Sequence, residues 1–218
     1  MTGTNPSAFR SKLPDTETTI FTVISRRAHE LGALNIGQGF PDFPIDPRLA
    51  ELVTEAMRGG HNQYAMGDGL PDLRRAIAAK LAMSYALPVD PLEEITVTCG
   101  ATEALFSAVQ AVVGPGDEVV VFDPAYDAYE PMVRLAGGRC VRIPLQPPRF
   151  AIDWDRVRDS LTSRTRLVIL NNPHNPACVV HGPAALDGLA EVLRGRDVYV
   201  LSDEVYEHVV FDGGRHAS

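Results

Sequence analysis

From residue 94 onward, short unbroken apolar runs alternate with segments of helical period, and that alternation constrains the fold most strongly. Ile95–Thr98, Glu118–Phe122, Val141–Pro144, Leu167–Leu170 and Val198–Leu201 read as five strands. Residues 102–113, 128–136, 154–161 and 184–193 carry helical spacing between them. A strand that is apolar at every position has no face for water. Such strands, separated by helices, specify an α/β architecture in which a parallel sheet is covered on both faces. Ligands of such sheets bind at the C-terminal ends of the strands. Ahead of this region, three helices are expected near residues 18–31, 49–57 and 70–85, the first stopping at Gly32. An irregular Gly/Pro stretch, residues 35–44, lies between the first two.

Bulk properties narrow the function classes. The formal net charge is −8 over 218 residues, which argues against nucleic-acid binding by overall electrostatics. No window is long and apolar enough to span a bilayer as a helix, so no membrane partner is expected. Residues 1–10 lack a signal-peptide core. Cys99, Cys140 and Cys178 are odd in number and never form a CxxC pair, which favours a reducing cytoplasm over a disulfide framework or a zinc site. No metal is expected. Lysine is rare: only Lys12 and Lys80 occur, against 18 arginines.

The expected strand ends carry the polar chemistry. The first runs into Gly100-Ala101-Thr102, a glycine turn ahead of a helix, where free backbone N–H groups and the helix dipole suit a phosphate. The alternative is that Thr102 merely caps that helix. The turn is neither a GxGxxG nor a Walker loop, so nucleotide binding has no positive signal. The second strand ends in Asp123-Pro124-Ala125-Tyr126, where the Tyr126 ring can lie against a flat heterocycle or simply pack. The fourth ends in Asn171-Asn172-Pro173-His174-Asn175-Pro176, a proline-stiffened loop presenting two amides, or ordinary turn-forming asparagines. The fifth ends in Asp203-Glu204-Val205-Tyr206. An acid directly after a buried run requires a cation or donors. A protonated pyridine nitrogen is one such cation; a helix N-terminus or an arginine is the plainer alternative. Phosphate cradle, stacking aromatic, amides, acid and phenol together match what a pyridoxal ring needs.

The blocks IGQGFPDFP, NQYAMGDGLPDLR, TCGATEALF, FDPAYDAYEPM, NNPHNP and SDEVYEH resemble fold-type I, class-I/II pyridoxal-phosphate aminotransferases. Within them the likeness is nearest to the methionine aminotransferase and kynurenine aminotransferase group, and it runs through essentially the whole chain. The resemblance implies a partial fold-type I sheet, with later strands and the C-terminal small domain absent. It implies that residues 1–45 are an N-terminal segment of the small domain and 46–218 the N-terminal portion of the large cofactor domain. It implies pyridoxal 5'-phosphate held by Ala101, Thr102, Tyr126, Asn175, Asp203 and Tyr206, with Tyr64 reaching the partner's phosphate in a homodimer. Gly37, Gln38, Gly39 and Asn171 would line the substrate side. The substrates would be an amino acid, methionine-like or aromatic, and a 2-oxo acid.

One departure matters. The family's Schiff-base lysine follows the strand after SDEVY, whereas this sequence stops at Ser218, and neither Lys12 nor Lys80 stands where it can serve. The chain itself is therefore expected to be inactive, marginally soluble and a partial sequence. In the family sheet the strands that follow would insert between the first and fourth, so two inner edges are expected to be unpaired. The competing readings are a carbon–sulfur β-lyase using the same ring chemistry, a lysine-less cofactor-binding module, and a Rossmann-type nucleotide domain.

Overall fold

Four of the five expected strands form one parallel sheet, and the way their residues alternate explains why. The computed structural model describes residues 11–16, 18–39 and 41–218. Its elements run α1 (Ile20–Leu31), α2 (Pro47–Arg58), α3 (Pro71–Tyr85), α4 (Ala101–Val112), β1 (Glu118–Asp123), α5 (Tyr129–Leu135), β2 (Arg139–Pro144), α6 (Trp154–Ser160), β3 (Thr165–Asn171), α7 (Pro183–Leu193) and β4 (Tyr199–Asp203). The strand order is β2-β1-β3-β4 and every pairing is parallel. Val119, Val121, Leu167 and Ile169 face one side, where Leu105 and Val109 of α4 and Met132 and Val133 of α5 cover them. Val120, Phe122, Val168 and Leu170 face the other, under Val157 of α6 and Leu189 and Val192 of α7. Two-sided burial thus requires the unbroken apolar runs, at roughly 1.5–3 kcal/mol for each fully buried aliphatic side chain.

The chain divides into two units. Thr98–Ser218, with the described residues up to Thr16, contains the sheet; Glu17–Val97 contains α1, α2 and α3. In the second unit, Thr19 caps α1 through the Thr22 N–H, and Gly32 ends that helix in the left-handed region at φ 60°. Asp46 caps α2 with Pro47 at its first turn. Buried Arg74 of α3 ties the unit together through Asp68 and the Leu92 carbonyl. No described helix is long and apolar enough to cross a membrane.

The expected first strand does not form. Residues 95–98 carry no ladder; Val97 N–H donates instead to the Asp68 carbonyl at 3.0 Å. A strand exists only beside a partner, and none of the described strands flanks this run. The outer edge of β4 is likewise unpaired among the described residues, and Tyr199 and Val200 are about half exposed. The sequence expectation of open inner edges on the first and fourth strands is corrected: the first forms no strand, and the fourth, β3, is paired on both sides by β1 and β4, so the open edge lies on β4.

At the N-terminal ends of β1 and β3 lies a fully buried acid. Glu118 accepts from Arg139 at 2.7 Å, from Thr162 at 2.8 Å and from Arg164 at 2.8 Å. Burial pushes its carboxyl up, but the three donors outweigh burial and hold it near 2, below the ordinary 4.5. A depressed acid stabilises fully above its unfolded value and loses that contribution as pH falls through its folded one. Denaturant unfolding of the wild type should therefore weaken from about pH 4.5 towards pH 2 more steeply than that of Glu118→Gln. At neutral pH the variant should be less stable by roughly 1–3 kcal/mol.

Candidate cofactor site

The chain steps outward from β1 to β2 on one side of the sheet and from β3 to β4 on the other. The strand order therefore reverses direction between β1 and β3, and such folds place ligands beyond the C-terminal strand ends at that point. Asp203 terminates β4 beside it, buried at 8% exposure. Its Oδ2 accepts from the Tyr129 hydroxyl at 2.6 Å, and its Oδ1 accepts from the Val205 N–H at 3.3 Å. The two plainer readings of Asp203 are thereby corrected: no helix follows for it to cap, and its side-chain partner is a phenol rather than an arginine. Burial first, and then the bond to Asp203, push the Tyr129 phenol upward, so Tyr129 remains a donor.

The loop after β3 stands next to it. Asn171 donates its amide to the Asp203 carbonyl at 2.9 Å, and its side-chain oxygen accepts from the Asn175 N–H at 2.7 Å. Asn171 is thus a loop builder whose amide retains one further hydrogen. Asn175 and Tyr206 approach each other, Nδ2 to hydroxyl, at 3.4 Å, bringing two donors to one point. The loop folds over a pair of buried rings, His174 and His181, 6.0 Å apart and nearly perpendicular. Asn172 closes it, accepting from the His181 N–H at 2.9 Å and donating to the carbonyls of His181 and Ala217 at 3.0 Å each. Asn172 carried no sequence signal beyond its place in the proline-rich run.

Ala101 and Thr102 open α4 at the surface. Gly100, at φ 81°, occupies the cap position and supplies no side-chain cap. Thr102 is therefore inside the helix, which corrects the reading that it is the cap. The Glu103 carboxylate reaches back to the Cys99 N–H. The backbone N–H groups of Ala101 and Thr102 are left uncapped by side chains at the positive helix end, the arrangement that binds phosphate. Tyr126 is partly buried and meets Tyr129 edge to face at 5.5 Å.

The remaining candidates lie in the other unit. Gly37, Gln38 and Gly39 are exposed, and a Cβ on Gly37 would come within 2.6 Å of the Ile24 side chain, which would have to shift. Tyr64 is fully exposed. The residue that sequence reasoning missed is Tyr129. Its one signal was its i, i+3 spacing from Tyr126, which puts both rings on one side of a helical turn.

These residues fit a cationic aromatic ring bearing a phosphate: a buried acid with unused acceptor capacity, two convergent donors, an aromatic face and an open helix N-terminus. Comparison with known proteins agrees. The profile of the family described as aminotransferase class I and II matches residues 32–218. The chain belongs to this family. Its members use pyridoxal 5'-phosphate. The methionine aminotransferase of Escherichia coli (strain K12) is 47% identical over 214 residues, covering 98% of this chain and 55% of that protein. A probable N-succinyldiaminopimelate aminotransferase of Mycobacterium tuberculosis is 44% identical, covering 94% and 52%. The crystal structure of YbdL from Escherichia coli, described as having a methionine aminotransferase function, superposes with a TM-score of 0.94 at 47% identity, covering 98% of this chain and 56% of that one. The chain thus spans about half the length of the relatives it matches.

Burial, with the His181 ring beside it, lowers His174 from 6.5 to about 4; burial lowers His181 as well. Both are therefore neutral in the folded loop. The unfolded chain takes up these protons first, so stability should fall as pH drops from 6.5 towards 4. Nuclear magnetic resonance should find the His174 ring still neutral at about pH 5.5.

Proposed function

We propose that these strand ends hold pyridoxal 5'-phosphate, and that the complete enzyme moves an amino group from a methionine-like or aromatic amino acid to a 2-oxo acid. The observation that carries this reading is Asp203, a buried carboxylate with no cationic partner among the described ion pairs, standing beside the Asn175–Tyr206 donors. Asp203 would face the ring nitrogen and keep it protonated. Asn175 and Tyr206 would donate to the phenolic oxygen. Tyr126 would lie on the ring face, and the N–H groups of Ala101 and Thr102 would take the phosphate. When bound, the cofactor supplies an electron sink for the substrate Cα carbanion. Asn171 and the Gly37-Gln38-Gly39 backbone would orient the substrate from its carboxylate side.

The same proposal extends to organisation. Residues 1–45 would belong to a small domain and 46–218 to the large cofactor domain. Two copies would pair, with Tyr64 crossing to the partner's phosphate; its full exposure in the single chain supports that role. Three free cysteines favour a reducing, cytoplasmic setting. Methionine heads the donor list because of the similarity to the Escherichia coli enzyme, yet a relative of similar identity carries a different substrate name.

The complete gene product should transaminate methionine with a 2-oxo acid acceptor in a coupled spectrophotometric assay. Asp203→Asn should lower kcat by a factor on the order of 10²–10³, because the charge facing the ring is lost. Wild-type turnover by that variant would rule out the assigned role. Release of pyruvate and ammonia from cystathionine as the main reaction would instead identify a β-lyase. The 218-residue chain alone should give no turnover, since its two lysines, Lys12 and Lys80, lie on none of the strand ends that carry Asp203 and Asn175.

A further inference from the structure

Tyr129 sits where three otherwise separate parts of the site meet. It is 4% exposed, and its hydroxyl bonds Asp203 Oδ2 at 2.6 Å across 74 positions of sequence. Its ring edge supports Tyr126 at 5.5 Å and 82°. The turn that presents both tyrosines is pinned from outside the core: Arg142 on β2 pairs with Asp123 at 2.6 Å, just before the turn, and with Glu130, directly after Tyr129.

We propose that Tyr129 is a positioning residue that sets Asp203 and Tyr126 as one rigid unit around the cofactor ring, with Arg142 clamping the turn that carries it. This rests on the reading that Asp203 faces the ring nitrogen. A carboxylate on a single Cβ–Cγ bond rotates freely unless its oxygens are held. Here Tyr129 holds Oδ2 and the Val205 N–H holds Oδ1, which fixes the plane of the group. Each oxygen keeps a second lone-pair direction for an incoming cation. The same Tyr129 ring limits how far Tyr126 can tilt, so the acid at the ring edge and the aromatic on the ring face are registered by one side chain. The phenol acts as a donor to Asp203.

A double-mutant cycle on the complete gene product, stripped of cofactor, tests this. Pyridoxal 5'-phosphate affinity is measured by protein-fluorescence titration for wild type, Tyr129→Phe, Asp203→Asn and the double variant. Tyr129→Phe keeps the ring and its packing. It should weaken binding by roughly tenfold, the scale of one hydrogen bond to a charged group. In the Asp203→Asn background the same change should alter affinity by less than about twofold, because Tyr129 acts through that carboxylate. An undiminished loss in the Asp203→Asn background, or no loss from Tyr129→Phe alone, would overturn the proposal. If Asp203→Asn itself leaves affinity intact, the functional reading fails and takes this inference with it, an outcome distinct from failure of the Tyr129 coupling alone. Should Tyr129→Phe not fold, fluorotyrosine at position 129 keeps both volume and hydroxyl. Its fluorine resonance should move on Asp203→Asn, and an unmoved resonance would equally overturn the proposal.

Discussion

Burial of the sheet on both faces governs everything else in this chain. Once α4 and α5 cover one side of β1 and β3, and α6 and α7 the other, those strands have no lateral position left for a polar side chain. Polar groups are confined to the strand ends, where backbone N–H and carbonyl groups are also released from the ladder. Glu118 and its arginines occupy the N-terminal end. Asn171, Asp203 and the loops that follow them occupy the other. The candidate site lies where it does because the core leaves nowhere else for it.

Asp203 illustrates how such a group is tolerated. A buried carboxylate without compensation is strongly unfavourable. Tyr129 and the Val205 N–H supply part of that compensation, and they leave acceptor capacity unused. The neighbouring loop is built differently. Asn171 bonds Asn175 and Asn172 bonds His181, so that Asn175 is carried on a loop braced by its own side chains. Two neutral histidines fill its interior as packing groups.

The strands were readable because two-sided burial writes itself as consecutive apolar residues, as in Glu118–Asp123 and Thr165–Asn171. The acids and amides were readable because each breaks such a run at its end. Ile95–Thr98 was misread for an instructive reason. The local pattern suits a strand, but a strand is a relation between two segments, and local pattern carries no information about the partner. Thr102 was weighed as a cap because threonine prefers that position; the helix begins one residue earlier, at Ala101, with Gly100 as its cap. Tyr129 went unnoticed because an aromatic near the start of an amphipathic helix reads as core, which it also is.

The sequence by itself determined the parallel α/β class, the strand ends as the seat of chemistry, and through its motifs the aminotransferase family, because these follow from local burial patterns and short contiguous motifs. Only the tertiary structure decided which of the polar residues meet. The pairing of Tyr129 with Asp203 and the clamp of Arg142 on Asp123 and Glu130 join positions apart in the chain. Hydrogen bonds depend on separations of a few ångströms, and no periodicity along a sequence encodes those.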